Sequence, residues 1–430
     1  MTNTFLDLLA IEGGSQVIAE PFPPYRSLGE EEIEAANRVL RSGVLSAFIG
    51  APGPGFLGGP EVQALEREAA ERFDVRHVVA VNSWTSGLVA AVGAIGIAPG
   101  DEVIVTPWTM VATATAILHW NGIPVFADID PHTFNLDPAA VEAAITPSTR
   151  AILCADIFGQ SADIPALRAI ADRHGLRLIT DTAQAPGALL AGLPAGTSAD
   201  IGGFSLNYHK HIHCGEGGLL VTNDDHLAER LRLIRNHGEA VIQSDDPSEL
   251  ANILGHNFRL GEIEAAIARA QLHKLPELVA SRQRAANRLR SGLIDLPGLQ
   301  LPVVADQATH VYYVFGMVLD PERLGKPRSW IFDALKAEGV TALASGYQCI
   351  HLNPLFRHRI AYGTECFPWK GLASGDSTVT YGPGLCPVAE DLHQRFFLDL
   401  NLCAHTYTDP EIDLVVAAFR KVWAHLEAGT

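Results

Sequence analysis

Seven short apolar runs separated by longer, often helix-length segments set the architecture of this chain. They span 77–81, 103–106, 124–128, 150–155, 176–181, 201–205 and 218–222, and are β-branched or continuously apolar. Strands covered on both faces need no polar alternation, because neither side meets water. Helical links between parallel strands provide that cover. The expected fold is therefore α/β, with a mostly parallel central sheet between layers of helix. The later runs are joined by short links, which calls for an antiparallel strand in the same sheet.

The flanks are read as follows. Residues 1–35 form an arm and the start of a helix, with Pro21, Pro23 and Pro24 holding the arm extended. Gly50 to Pro60 is too rich in Gly and Pro to be anything but loop. Val62, Leu65, Ala69 and Phe73 then share one side of an amphipathic helix. Residues 36–275 make the large domain. A long helix beginning near Glu262 bridges to a smaller α+β domain, 276–430, with strand-like 310–319, a helix near 329–338 and a last helix at 410–427.

The net charge of −18 is spread without long blocks of either sign, which argues against nucleic acid or an anionic membrane surface as partner. The N-terminus has no basic, apolar leader pattern, and no run of about 18 apolar residues appears. The six cysteines lack C-x-x-C spacing. They read as reduced and structural in a cytoplasmic protein, Cys214 included.

The chemistry gathers in two segments. Asp181 ends an apolar run, and Lys210 follows Ser205 and precedes the glycine-rich 215–218. Lys210 is the first lysine of the chain. A buried amine loses protons more readily and becomes nucleophilic. An acid, a serine and a lysine in this order suit pyridoxal phosphate: the lysine forms a Schiff base, and the acid keeps the pyridine nitrogen protonated. Phosphate needs donors at a helix start. Thr85 and Ser86, in Asn82-Ser83-Trp84-Thr85-Ser86-Gly87-Leu88 after a strand, are the natural donors, with Ser205 a third. His209, His211 and His213 would share one face of a strand and could bind metal, but the same segment must carry the lysine, so no metal is expected.

Together these residues resemble the DegT-type sugar aminotransferases, a branch of the fold-type I pyridoxal phosphate enzymes. The likeness runs through Gly58-Gly59-Pro60-Glu61-Val62, the strand 124–130, Phe158-Gly159-Gln160, Asp181-Thr182-Ala183-Gln184, Lys210 with 215–218, and Gly255-His256-Asn257-Phe258-Arg259. It implies that Lys210 carries the cofactor, Asp181 binds its ring nitrogen, and Gln184 approaches its ring hydroxyl. Thr85, Ser86 and Ser205 would hold the phosphate. Asn257 would reach the phosphate of a neighbouring subunit, making a homodimer with shared sites. Tyr347 and His351 fall where the family contacts substrate.

Two positions depart from the pattern. Where relatives stack an aromatic residue on the cofactor ring, this chain has Met110, with Trp108 two residues earlier; both are candidates to cover the ring. Asp156 stands where relatives often carry His. Relatives with His in place of the lysine are sugar dehydratases, whereas this chain keeps Lys210. The reading is an aminotransferase moving nitrogen from glutamate or glutamine to the ketone of a sugar, free or nucleotide-linked, or of a cyclitol. A pyridoxal phosphate-dependent dehydratase and a non-catalytic regulatory relative are the alternatives.

Overall fold

The computed structural model describes residues 8–373 and 375–428, so the first residues of the arm lie outside it. All seven apolar runs are strands: β1 (His77–Val81), β2 (Glu102–Val105), β3 (Ile123–Phe126), β4 (Thr149–Ala155), β5 (Arg177–Asp181), β6 (Ile201–Ser205) and β7 (Gly218–Thr222). They form one sheet in the order β1-β7-β6-β5-β4-β2-β3. The expected antiparallel strand is β7, which opposes both β1 and β6; the remaining pairs are parallel.

Both faces of the sheet are buried, as the unbroken apolar runs require. Val79, Val105, Leu153 and Ile179 point into one core layer, shared with α1 (Trp84–Ala94) and α2 (Ala112–Leu118). Val78, Phe204 and Leu219 point into the opposite layer, beneath the first half of α3 (Glu262–Leu293). The 32-residue α3 passes through the boundary drawn at 275 with Pro276 inside it.

The C-terminal region adds an antiparallel sheet of β8 (Leu299–Gln300), β9 (Val314–Leu319), β10 (Leu343–Ser345) and β11 (Phe397–Asn401), in the order β8-β9-β11-β10. One face packs on the second half of α3, on α4 (Arg328–Ala337) and on α5 (Asp409–Ala428), through Leu289, Ile331, Leu398, Leu400 and Phe419. Leu9 and Ile18 of the arm join this core. The other face meets the large sheet's core: Phe397 packs at 4.9 Å from Trp108 and 5.2 Å from Phe158.

The strand expected from residue 310 begins later, at Val314. Residues 310 and 311 instead run along Gly159 and Gln160, and the chain breaks direction at Tyr312, whose φ is +52°. Among the described residues no helix is long and apolar enough to cross a membrane.

Candidate active site

The cavity at the carboxyl ends of the parallel strands measures about 160 Å³, and Lys210 and Asp181 both line it. Lys210 sits in the loop between β6 and β7. That loop is pinned at its base by Leu206 N to Gly217 O at 2.9 Å and Cys214 N to Leu206 O at 3.1 Å. The side chain is buried, with Nζ 4.6 Å from the centroid of Tyr313. Burial pulls its pKa down to about 8, against the opposing pull of the Asp181 charge. The amine is thus held near the point where it can be neutral at working pH.

Asp181 ends β5 and is held by three donors. Its Oδ1 accepts from the Trp84 indole at 2.7 Å and from Ala183 N at 3.2 Å; its Oδ2 accepts from the Thr113 hydroxyl at 2.7 Å. A carboxylate offers about four lone-pair sites, so one remains for a ligand donor. Trp84 can reach Asp181 because β6 has no side chain in its way: a Cβ on Gly203 would lie 2.2 Å from the indole ring.

Opposite, the N-terminus of α1 opens into the cavity. Ser83 caps it by accepting from Ser86 N at 3.0 Å. Ser83, Thr85 and Ser205 line the cavity. Hydroxyls beside a helix start, facing an amine and a carboxylate, are the donor set a phosphorylated pyridine aldehyde requires.

The DegT/DnrJ/EryC1/StrS aminotransferase family model matches residues 27–370. The L-glutamine:2-deoxy-scyllo-inosose aminotransferase of Streptoalloteichus tenebrarius is 37% identical over 373 residues, 83% of this chain and 86% of that protein.

The chain belongs to the DegT/DnrJ/EryC1/StrS aminotransferase family.

The dTDP-3-amino-3,4,6-trideoxy-alpha-D-glucose transaminase of Streptomyces venezuelae is a further relative, 37% identical over 356 residues, 82% of this chain and 86% of that protein. The solved structure of S. venezuelae DesV with a ketimine intermediate superposes with a TM-score of 0.77 at 32% identity, covering 94% of this chain and 99% of that one.

Not every residue singled out in this aminotransferase meets at the cavity. Met110 lines it and is 59% exposed. Trp108 does not: it is fully buried among Phe134, Phe158 and Phe397, and its indole donates to Tyr347 O at 2.5 Å. Of the two candidates to cover a ring, Trp108 is thus a core residue. Ser86 does not line the cavity; its hydroxyl stands 2.9 Å from that of Ser83, which does. Gln184 lines the cavity and accepts from Phe158 N at 2.8 Å.

His351 is the clearest correction. It is fully buried, with Nε2 2.9 Å from Glu390 Oε1, and does not line the cavity that holds Lys210. Asn257 is exposed and does not line its own chain's cavity. Residues 206–217 form a loop rather than a strand, so the three histidines diverge. His209 lines the cavity, His211 is buried against Val311 O at 2.9 Å, and His213 is half-buried.

Several site residues escaped the sequence reading. Thr113 follows Thr109 at helical spacing, and their hydroxyls lie 3.0 Å apart, a signal that could have been used. Tyr313 had no local signal. Asp156 was noted as a departure, and its surroundings are now clear. It is fully buried at the cavity wall, accepting from Ala162 N at 2.8 Å and from the Thr182 hydroxyl at 2.7 Å. Burial raises its pKa to about 6.

Proposed function

We propose that this aminotransferase uses pyridoxal phosphate held on Lys210 to carry nitrogen from glutamine or glutamate to the ketone of a cyclitol or sugar. The observation that carries the reading is the pairing in one cavity of a buried amine with a lowered pKa, Lys210, and a carboxylate fixed by three donors, Asp181. The two relatives above, whose names specify a cyclitol and a dTDP-sugar, support the substrate class. When bound, the cofactor supplies an aldehyde that exchanges amino groups and a ring that withdraws electrons from the reacting carbon.

The chain's residues do the rest. Asp181 accepts from the ring nitrogen with its free lone pair, and Trp84 and Thr113 keep it from rotating. Thr85 and Ser205 donate to the phosphate at the start of α1. Met110, which lines the cavity, would offer a polarizable thioether to the ring. Gln184, which lines the cavity, would offer its amide to the ring hydroxyl. With the cofactor bound, the Lys210 amine would be the group placed to move the proton at the reacting carbon. A second copy of the chain completes the site through Asn257, giving a homodimer.

The experiment is borohydride reduction of the protein mixed with pyridoxal phosphate, followed by peptide mass spectrometry. The cofactor's mass should fall on the peptide containing Lys210, and glutamine or glutamate should change the visible absorbance of the unreduced holoenzyme. Labelling elsewhere, or a holoenzyme indifferent to both donors, refutes the reading. A dehydratase would fail the second test alone.

A further inference from the structure

The loop that carries Lys210 is tied to the N-terminal arm by a residue that does not line the cavity. Tyr25 donates from its phenol to His211 O at 2.9 Å. His211 directly follows the lysine and is fully buried. Its ring donates from Nε2 to Val311 O at 2.9 Å, and two residues further on Tyr313 lies beneath the Lys210 ammonium. His211 is therefore fixed at its backbone by the arm and at its ring by the segment that floors the amine. The loop's own bond at this point runs from Lys210 N to Asn207 O at 2.9 Å.

Tyr25 is in turn well held. Its N–H donates to Ala404 O at 2.9 Å, just beyond β11, and Pro24 forms a bridge with His405. Its ring faces the Arg282 guanidinium of α3, 4.4 Å from the centroid. Phe22 packs edge-on against His405 at 5.9 Å and Tyr407 at 5.8 Å. The backbone of Tyr25 is thus fastened beside the smaller sheet, and its hydroxyl reaches the lysine loop of the larger one. Two residues on, the Ser27 hydroxyl donates to Gln271 Oε1 of α3 at 2.7 Å.

A lysine amine rides on a long, flexible stem, so the loop backbone decides where it can reach. A small misplacement of a reacting group costs much of its rate. A bond that only braced the fold would add stability and nothing else. A bond to the residue next to the lysine also sets how far the loop opens and where the amine stands. We propose that Tyr25 is a positioning residue, its hydroxyl fixing the backbone beside Lys210 so that the amine meets the cofactor's aldehyde. This rests on the reading of Lys210 as the cofactor's lysine.

The test compares full-length wild type, Tyr25→Phe and Ser27→Ala. Phe keeps the ring against Arg282 and removes the donor alone. Ser27→Ala removes an arm bond of similar length that does not reach His211. Hydrogen exchange on the apoproteins, read by peptide mass spectrometry, reports on the loop itself. In Tyr25→Phe the peptide covering 206–217 should exchange about 10-fold faster, while β5 and α1 keep their wild-type rates. Capture of pyridoxal phosphate should slow about 3- to 10-fold. In the holoenzyme, the limiting rate of the glutamine or glutamate half-reaction should fall by a similar factor, with the half-saturating donor concentration within about twofold of wild type. Ser27→Ala should stay within about twofold of wild type in capture and in limiting rate.

Unchanged loop exchange or unchanged capture in Tyr25→Phe overturns the proposal. So does faster exchange spread through the whole large domain, or an equal slowing in Ser27→Ala, because either would make Tyr25 a general brace. A wild type that captures no pyridoxal phosphate overturns the assignment of Lys210 instead, and the exchange rates still decide whether Tyr25 holds the loop.

Discussion

The ammonium of Lys210 lies over the Tyr313 ring, 4.6 Å from its centroid, in a pocket that excludes most water. Burial dominates its titration and brings the pKa to about 8. Only the neutral amine attacks an aldehyde. Capture of pyridoxal phosphate by the apoprotein should therefore accelerate with pH through a midpoint near 8 and level off above it. Absorbance after rapid mixing checks this. A midpoint near the ordinary lysine value would show that the pocket does not control the amine. Lys210→Arg should capture nothing.

Trp84 and Thr113 make a second prediction. Each donates to one oxygen of Asp181 at 2.7 Å. Neither need touch substrate, so each acts by positioning. Trp84→Phe and Thr113→Val should each slow the donor half-reaction about 10-fold, the cost of one hydrogen bond to a charge. The double variant should lose less than the product of the two, since both act through one carboxylate. Asp181→Asn should be slower than either by a further 10-fold or more, because it removes the charge itself. Stopped-flow absorbance with glutamine separates these outcomes.

The central sheet was legible because strands buried on both faces leave unbroken apolar runs, from Val78 in β1 to Val221 in β7. Lys210, Asp181, Thr85, Ser205, Gln184 and Met110 were legible too, as each lies in or beside a strand-end loop that points into the cavity. Trp108 and His351 were not. Chain position places a residue near a site but does not say which way its side chain turns, and both turn into the core. Tyr313, just before a strand of the smaller sheet, is brought beside Lys210 by tertiary packing alone. The reversal at Tyr312, with φ +52°, is invisible in the apolar pattern of 310–319.

Asp156 supplies a pH-dependent prediction. Burial raises its pKa to about 6, above the value of 3.8 it has when exposed. A carboxyl with a raised folded pKa binds more protons in the folded state between those two values, so its contribution to stability falls as pH rises through that window. Above pH 6 the full penalty applies. Asp156→Asn should therefore be more stable than wild type at pH 7, by about 1–3 kcal/mol, with the difference closing near pH 4. Urea unfolding at the two pH values checks both the sign and the closing.

His351 tests whether sequence position or side-chain direction decides a role. Its ring is fully buried, stands 2.9 Å from Glu390 and packs beside Phe126 at 5.9 Å. Glu390 also accepts from Gly384 N and Cys386 N, so His351 is one post of a network that shapes the 384–390 turn. Removing the ring opens a cavity and leaves Glu390 short of a partner. His351→Ala should cost about 2–4 kcal/mol in urea unfolding. At a temperature where the variant is folded, KM for the keto substrate should stay within about twofold of wild type, since the ring does not line the cavity that holds Lys210. A raised KM with unchanged stability would return His351 to the substrate site and reverse the correction.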